Sequence, residues 1–234
     1  MAYDLGAYPD SARERAARNV LISASPVLSS ERLVLYDGVG KRIFDLVFVA
    51  LIALPVTLVL AVLSVLIAMD GHSPFYVQKR LGMHGKVFRM YKLRSMVPHA
   101  DKVLSAYLDS NPEARAEWDH NQKLKDDPRV TRLGRLIRKT SLDELPQFLN
   151  VLKGDMSVVG PRPMMTDQKD LYPGTEYYEM RPGITGAWQT SVRNESSFAQ
   201  RAEYDRDYFY HLSLMTDLKI VLRTFGVVMR ATGH

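Results

Sequence analysis

The sequence predicts a mainly α fold with a small β element, carried on an apolar segment that enters a membrane. Three observations support this. The run from Leu46 to Met69 contains no charged residue. Alternating β-type patterning is concentrated in one stretch, Phe75 to Arg94. Beyond Pro98, apolar residues recur at helical spacing between Pro and Gly punctuation, with little further strand signal.

Residues 1–40 are weakly patterned and read as an N-terminal tail, with a short Ala/Arg-rich helix at Ser11–Val20 and a loop at Ser23–Ser30. The apolar run follows. As a straight helix it spans about 36 Å at about 1.5 Å per residue, and about 20 apolar residues suffice to cross a bilayer. A soluble helix of that length would show a polar face, and this one has none. Lys41 and Arg42 precede it, and Lys79, Arg80, Lys86, Arg89, Lys92 and Arg94 follow, with no Asp or Glu from Gly71 to Met96. Basic flanks belong on the cytoplasmic side, so a simple span would carry one basic flank across. Pro55, near the centre, removes a backbone donor and bends or breaks a helix. Two topologies stay open on pattern alone: a proline-kinked span, and a re-entrant helix-break-helix over 41–72 with both ends on one side. The run starts too far from Met1, and lacks the cleavage site, for a cleaved signal peptide.

Phe75–Leu81 and Lys86–Arg94, around Gly82–Gly85, read as a β-hairpin. Its second strand shows no clean inside and outside, which suits a ribbon at an interface with snorkelling cations. Pro98–Asp127 reads as two polar helices parted at Asn111-Pro112, with Leu104, Tyr107 and Leu108 as an apolar stripe. Thr131–Lys139 reads as a basic amphipathic helix: Arg129, Arg132, Arg135 and Arg138 recur every three residues, and Leu133, Leu136 and Ile137 line another face. Such a helix can lie on an anionic membrane or pack on its own domain. Thr140–Gly154 reads as a further helix. Ser141-Leu-Asp-Glu144 matches a capping box, Pro146 makes the start irregular, and Gly154 ends it. Leu142, Leu145, Phe148, Leu149 and Leu152 are its expected apolar face, with Asp143, Gln147 and Asn150 pointing elsewhere. Met156–Val159 is a short buried strand running into Gly160-Pro-Arg-Pro163, a rigid turn that presents Arg162. A second turn, Arg181 to Gly186, precedes Trp188. Helices at about 199–211 and 215–229 close the chain.

The 234 residues suffice for one sizeable domain plus an anchor. The net charge of +5 and pI of about 9.3 fit an anionic membrane surface or a phosphorylated substrate. No nucleic-acid motif accompanies the basic residues, and the apolar anchor argues against that partner. Cysteine is absent, which excludes disulfides, thiolate metal sites and cysteine nucleophiles.

Asp143 and Glu144 are adjacent acids at a helix start, a place that acids favour for dipole reasons alone. Their setting is less ordinary. Arg138 and Lys139 precede them, and Arg162 follows in a rigid turn. A carboxylate can attack phosphorus only where the phosphate charge is neutralised by cations.

Five blocks occur in order: Lys92-Leu-Arg-Ser-Met96, Thr140-Ser-Leu-Asp-Glu-Leu-Pro-Gln147, Asn150-Val-Leu-Lys-Gly-Asp-Met-Ser157, Gly160-Pro-Arg-Pro163 and Arg181-Pro-Gly-Ile-Thr-Gly186. Lys41-Arg-Ile-Phe-Asp45 opens the apolar run. From Lys41 to the C-terminus the chain resembles the bacterial sugar transferase family, the monotopic phosphoglycosyl transferases. It resembles a compact, exopolysaccharide-type member, without the four-helix membrane domain of larger ones.

The resemblance implies a reaction. Hexose-1-phosphate, with galactose or glucose as the hexose, passes from a UDP-hexose to undecaprenyl phosphate, and UMP leaves. Asp143 is the implied nucleophile, forming an aspartyl phosphosugar, with Mg²⁺ at Asp143 and Glu144. Glu144 is alternatively the manager of the lipid-phosphate proton. Arg162, Arg181, Lys92 and Arg94 are candidate phosphate ligands, and Gly183 and Gly186 shape a candidate nucleotide-binding turn. The resemblance also favours the re-entrant hairpin, with Pro55 at the break, interfacial amphipathic helices and a compact cytosolic catalytic domain over 73–234. The protein would then sit on the cytoplasmic face of the bacterial inner membrane, against anionic lipids, with a homodimer left open. Two alternatives are direct attack by the lipid phosphate without a covalent step, and a non-catalytic basic module that binds membrane surfaces.

Overall fold

The computed structural model describes residues 36–121, 124–191 and 200–229. The helix expected at Ser11–Val20 and the loop at Ser23–Ser30 lie outside them. A π-helical turn, Tyr36–Gly40, leads into α1, Lys41–Ala68. This helix is long and apolar enough to cross a membrane by length and composition. Its two ends pack on the rest of the protein, while residues 50–62 between them include no buried side chain. At the first end Lys41 pairs with Asp217 and donates to the Tyr208 hydroxyl at 3.1 Å. Arg42 donates to the carbonyls of Val151 and Leu152. Asp45 accepts from the Ser157 hydroxyl at 2.8 Å and the Val158 N–H at 2.9 Å. At the second end Leu63 and Ile67 pack with Leu93 and Ile137, and Arg94 holds both the Ile67 carbonyl and Asp70.

The family resemblance favoured a break at Pro55, whereas the helix runs through it. Helical backbone is continuous from Lys41 to Ala68 with Pro55 inside it. A proline costs one hydrogen bond and crowds one carbonyl; with bonded turns on both sides the helix can bend without ending.

β1, Phe75–Leu81, and β2, Val87–Leu93, form the expected antiparallel hairpin, with Phe75 opposite Leu93 and Leu81 opposite Val87. As expected, the second strand has no clean inside and outside: Phe88 and Met90 are buried on one face and Leu93 on the other, while Val87 is exposed, and Phe75, Tyr76 and Val77 of β1 are exposed too. Lys86 and Lys92 share the face of Phe88 and Met90.

α2, Ala100–Ser110, and α3, Pro112–Asn121, part at Asn111 as expected, and the Asn111 side chain accepts the Ala114 N–H at 3.1 Å. α4, Arg132–Lys139, is capped by Thr131, whose hydroxyl accepts the Gly134 N–H at 2.8 Å. A Cβ on Gly134 would sit 1.9 Å from the Ser95 carbonyl oxygen, so glycine lets α4 lie against the backbone after β2. The basic stripe is divided. Arg129 pairs with Asp127 and lies over Trp118, and Arg138 donates to the Ser95 hydroxyl, whereas Arg132 and Arg135 are exposed.

The expected helix over 140–154 is interrupted. Ser141 is left-handed (φ 57°) and makes no side-chain cap, so the capping box does not form. A single 3₁₀ turn, Leu142–Glu144, precedes α5, Gln147–Lys153, which ends at left-handed Gly154. Its facing is as expected only in part: Leu142 and Phe148 pack against core residues. Gln147, Asn150 and Val151 are buried, while Leu149 and Leu152 are each 49% exposed. The reason is Asn150, which accepts the Tyr91 N–H at 3.1 Å and donates to the Arg89 carbonyl at 2.7 Å. It satisfies backbone groups on the free edge of β2, where an apolar side chain would leave them orphaned.

β3, Ser157–Val159, pairs in parallel with β4, Gly183–Thr185. α6, Arg201–Tyr210, and α7, Leu214–Met229, complete the described fold. The main core joins Val49, Met90, Val151, Val158, Tyr208 and Ile220, drawing on α1, β2, α5, β3, α6 and α7 together. Leu214, Leu218, Leu222 and Phe225 remain exposed along α7.

Candidate active site

The 3₁₀ turn after α4 sets Asp143 and Glu144 against the end of β2. Because Asn150 pins α5 to Arg89 and Tyr91, the next residue on the strand, Lys92, is delivered to the pair. Its Nζ lies 2.9 Å from Glu144 Oε1 and 3.8 Å from Asp143 Oδ2. Arg162 Nη1 reaches to 4.0 Å from the same Glu144 oxygen. The rigid turn that carries Arg162 is fixed by backbone: the Gly160 N–H donates to Thr185 and the Gly183 N–H to Pro161.

Asp143 is largely buried, and that burial pushes its carboxyl pKa up. Lys92 pulls it back down, Glu144 adds to the rise, and Arg138 opposes it. The outcome is a desolvated carboxylate with a neighbouring carboxylate and three cations, Lys92, Arg138 and Arg162, around the pair.

The other candidate residues lie elsewhere. Arg94 is committed to Asp70 (2.7 Å) and to the carbonyls of Ile67 and Ser73 (3.1 and 2.7 Å), where it fastens the end of α1. Arg181 donates to the Gly154 carbonyl at 3.0 Å, at the end of α5. A Cβ on Gly183 or Gly186 would fall 2.1 Å from Gly160 backbone atoms. Close passage of two backbone segments accounts for both glycines without a ligand. Asp155 accepts from Asn150 at 3.2 Å.

Sequence reasoning missed the positioning role of Asn150, whose signal was a polar residue at a helix position facing a strand edge. It also passed over Arg80 and Arg201, whose guanidinium groups lie beside the Arg162 turn, as described below.

The donor chemistry suits a hard cation held in part by substrate. Magnesium takes oxygen ligands and is commonly bound by one or two carboxylates together with substrate phosphates. Asp143 and Glu144 provide the carboxylates. Among the described residues no group of three or more potential protein ligands lies together, so the fit is of this shared type.

Residues 36–231 match the family model described as bacterial sugar transferase. The chain belongs to the bacterial sugar transferase family. Among relatives, it is 45% identical over 200 residues to the exopolysaccharide production protein ExoY of Sinorhizobium fredii, covering 84% of this chain and 88% of that protein. It is 46% identical over 195 residues to the undecaprenyl-phosphate galactose phosphotransferase of Salmonella typhimurium, covering 82% of this chain and 41% of the relative. It is 37% identical over 196 residues to the UDP-glucose:undecaprenyl-phosphate glucose-1-phosphate transferase of Escherichia coli, covering 79% and 39%. The chain therefore spans most of the length of the first and about two-fifths of the other two. The family assignment and the site geometry meet at the Asp143–Glu144 turn, within the matched region.

Proposed function

We propose that this sugar transferase moves hexose-1-phosphate from a UDP-hexose, with galactose or glucose as the sugar, to undecaprenyl phosphate. The observation that carries this reading is a buried carboxylate pair faced by Lys92, Arg138 and Arg162 on a domain anchored by an apolar helix. Those cations counter the charge of a diphosphate that would otherwise repel a carboxylate nucleophile. The names and similarity of the relatives support the same reaction class.

In the proposed mechanism Asp143 attacks the β-phosphorus. A bond forms from its carboxylate oxygen to phosphorus, and the bond from phosphorus to the bridging oxygen breaks. The electron pair leaves with UMP. An oxygen of undecaprenyl phosphate then attacks the aspartyl phosphosugar, and the Asp143–phosphorus bond breaks. Lys92 holds Glu144 and Asp143 in place, and Arg162 clamps phosphate oxygens bidentately. Bound at Asp143 and Glu144, Mg²⁺ would supply charge neutralisation on the diphosphate. Alternatively to holding the metal, Glu144 would accept a proton from the incoming lipid phosphate.

The membrane placement belongs to the same proposal. Both ends of α1 pack on one domain and its middle contains Pro55, which supports a re-entrant segment that bends at Pro55 without breaking, on the cytoplasmic face of the inner membrane. Exposed Leu136 beside exposed Arg132 and Arg135 on α4, and exposed Leu149 and Leu152 on α5, support interfacial contact with anionic lipid. UMP release from UDP-galactose or UDP-glucose, dependent on Mg²⁺ and undecaprenyl phosphate, tests the reaction; absence of release with every UDP-hexose would refute it. Cysteines placed at Ala2 and after Met96 test the topology, and labelling of only one of them from outside the cell would refute the re-entrant form.

A further inference from the structure

Near Arg162, two further guanidinium groups gather around Tyr177. The Tyr177 hydroxyl donates to the Leu81 carbonyl at 2.7 Å and accepts the Met164 N–H at 3.1 Å. This ties the end of β1 to the turn that carries Arg162. Arg80, next to Leu81, donates to the Pro163 carbonyl at 3.2 Å and to Gln78 at 2.7 Å. Arg201, at the start of α6, lies over the Tyr177 ring at 6.0 Å and over the Trp188 ring at 5.8 Å.

Counter-charge among the described residues is sparse at Arg80 and Arg162. Arg201 has Asp205 at 3.7 Å, but Asp205 also accepts the Tyr172 hydroxyl at 2.6 Å. Among the described residues Arg162 pairs with Glu144 alone, at 4.0 Å and shared with Lys92. Arg80 has no ion pair among the described residues, and its buried Nε makes no hydrogen bond among them. Burial holds the Arg80 guanidinium down to about 10, with Arg162 and Arg201 pushing the same way. Three cations brought close at a cost in repulsion and desolvation make a site for an anion with more than one charge.

Resting on the reaction proposed above, we infer that Arg80 and Arg201, with Arg162 between them and the carboxylate pair, form a second phosphate subsite that holds the nucleoside monophosphate leaving group. In-line displacement puts the leaving oxygen opposite the nucleophile. With the β-phosphate between Asp143 and Arg162, the α-phosphate falls on the Arg80 side. As the bond from the β-phosphorus to the bridging oxygen breaks, that oxygen's electron pair stays with the α-phosphate. Its charge rises from one negative to two, at the place where the guanidinium groups converge.

The probe is UMP, with full-length protein in detergent or nanodiscs. Arg80→Gln is expected to weaken UMP binding at least about ten-fold, while Asp143→Asn retains it, because binding UMP requires no covalent step. Wild-type protein gives a reading that needs no variant to fold. Phenylglyoxal labelling mapped by mass spectrometry is expected to mark Arg80, and saturating UMP to protect it. Equal labelling of Arg80 with and without UMP, including none in either, overturns the subsite. So does unchanged UMP affinity in a stably folded Arg80→Gln. Absence of a covalent intermediate in wild type, with UMP binding still lost in Arg80→Gln, overturns the nucleophile assignment and leaves the subsite standing.

Discussion

Replacing Lys92 with methionine removes the charge from the carboxylate pair and keeps most of the stem. The ammonium stands 3.8 Å from Asp143 and 2.9 Å from Glu144, with all three side chains less than a fifth exposed. At 3.8 Å and an effective dielectric of about 20, the attraction to Asp143 is about 4 kcal/mol. Relaxation and the remaining Arg138 reduce its effect, so the Asp143 pKa is expected to rise further when the charge is removed. The sign follows from the chemistry: Asp143 must be ionised to attack, burial already raises its pKa, and Lys92 is the largest influence lowering it. The acid limb of kcat/KM for UMP release should therefore move to higher pH in Lys92→Met, with activity falling most at low pH. Lys92→Arg should recover part of the shift. An acid limb unmoved in a stably folded Lys92→Met would refute the electrostatic role given to Lys92.

Three further outcomes follow from the fold. Asn150→Leu leaves the Tyr91 N–H and Arg89 carbonyl without partners, each worth about 1–3 kcal/mol, so chemical denaturation should show a loss of several kcal/mol and activity should fall with it. Gly134→Ala drives a Cβ into the Ser95 carbonyl and should cost about 1–3 kcal/mol, whereas Gly226→Ala, with nothing within 4 Å, should be neutral or gain up to about 1 kcal/mol. Burial pushes the Asp205 carboxyl up to about 6. A carboxyl raised in the folded state favours folding most below its ordinary pKa of about 3.9 and loses that contribution as pH rises through about 6. Compared with Asp205→Asn, the wild type should lose Tm as pH rises across that window.

Local chemistry made much of the architecture readable. Gly82–Gly85 announced the hairpin, Asn111-Pro112 the division between α2 and α3, and the uncharged run the helix α1. The errors came where long-range contacts overrule periodicity. Five leucine and phenylalanine positions suggested a buried face over 140–154, yet Asn150 turned inward because β2, more than 50 residues earlier, offers an unpaired edge. In β2 itself, Lys92 shares the face of Phe88 and Met90 because it reaches an acid pair, which no pattern of polarity within the strand reveals. Asp143, Glu144 and Arg162 were legible because motif order and charge sequence pointed at them. Arg94 and Arg181 looked equivalent to Arg162 in the sequence, but their partners, Asp70 and the Gly154 carbonyl, place them at the ends of helices. Arg80 and Arg201 stand far apart in the chain, and both lie beside Tyr177 in the fold.

The central claim is that Asp143 carries the sugar phosphate. Incubating the full-length protein with Mg²⁺ and UDP-galactose or UDP-glucose, without lipid phosphate, and mapping the Asp143 peptide by mass spectrometry tests it directly. The account predicts a hexose phosphate adduct on Asp143 that undecaprenyl phosphate discharges and that Asp143→Asn never forms. UMP release only in the presence of lipid phosphate, with no adduct on Asp143, would contradict it and favour direct attack by the lipid phosphate.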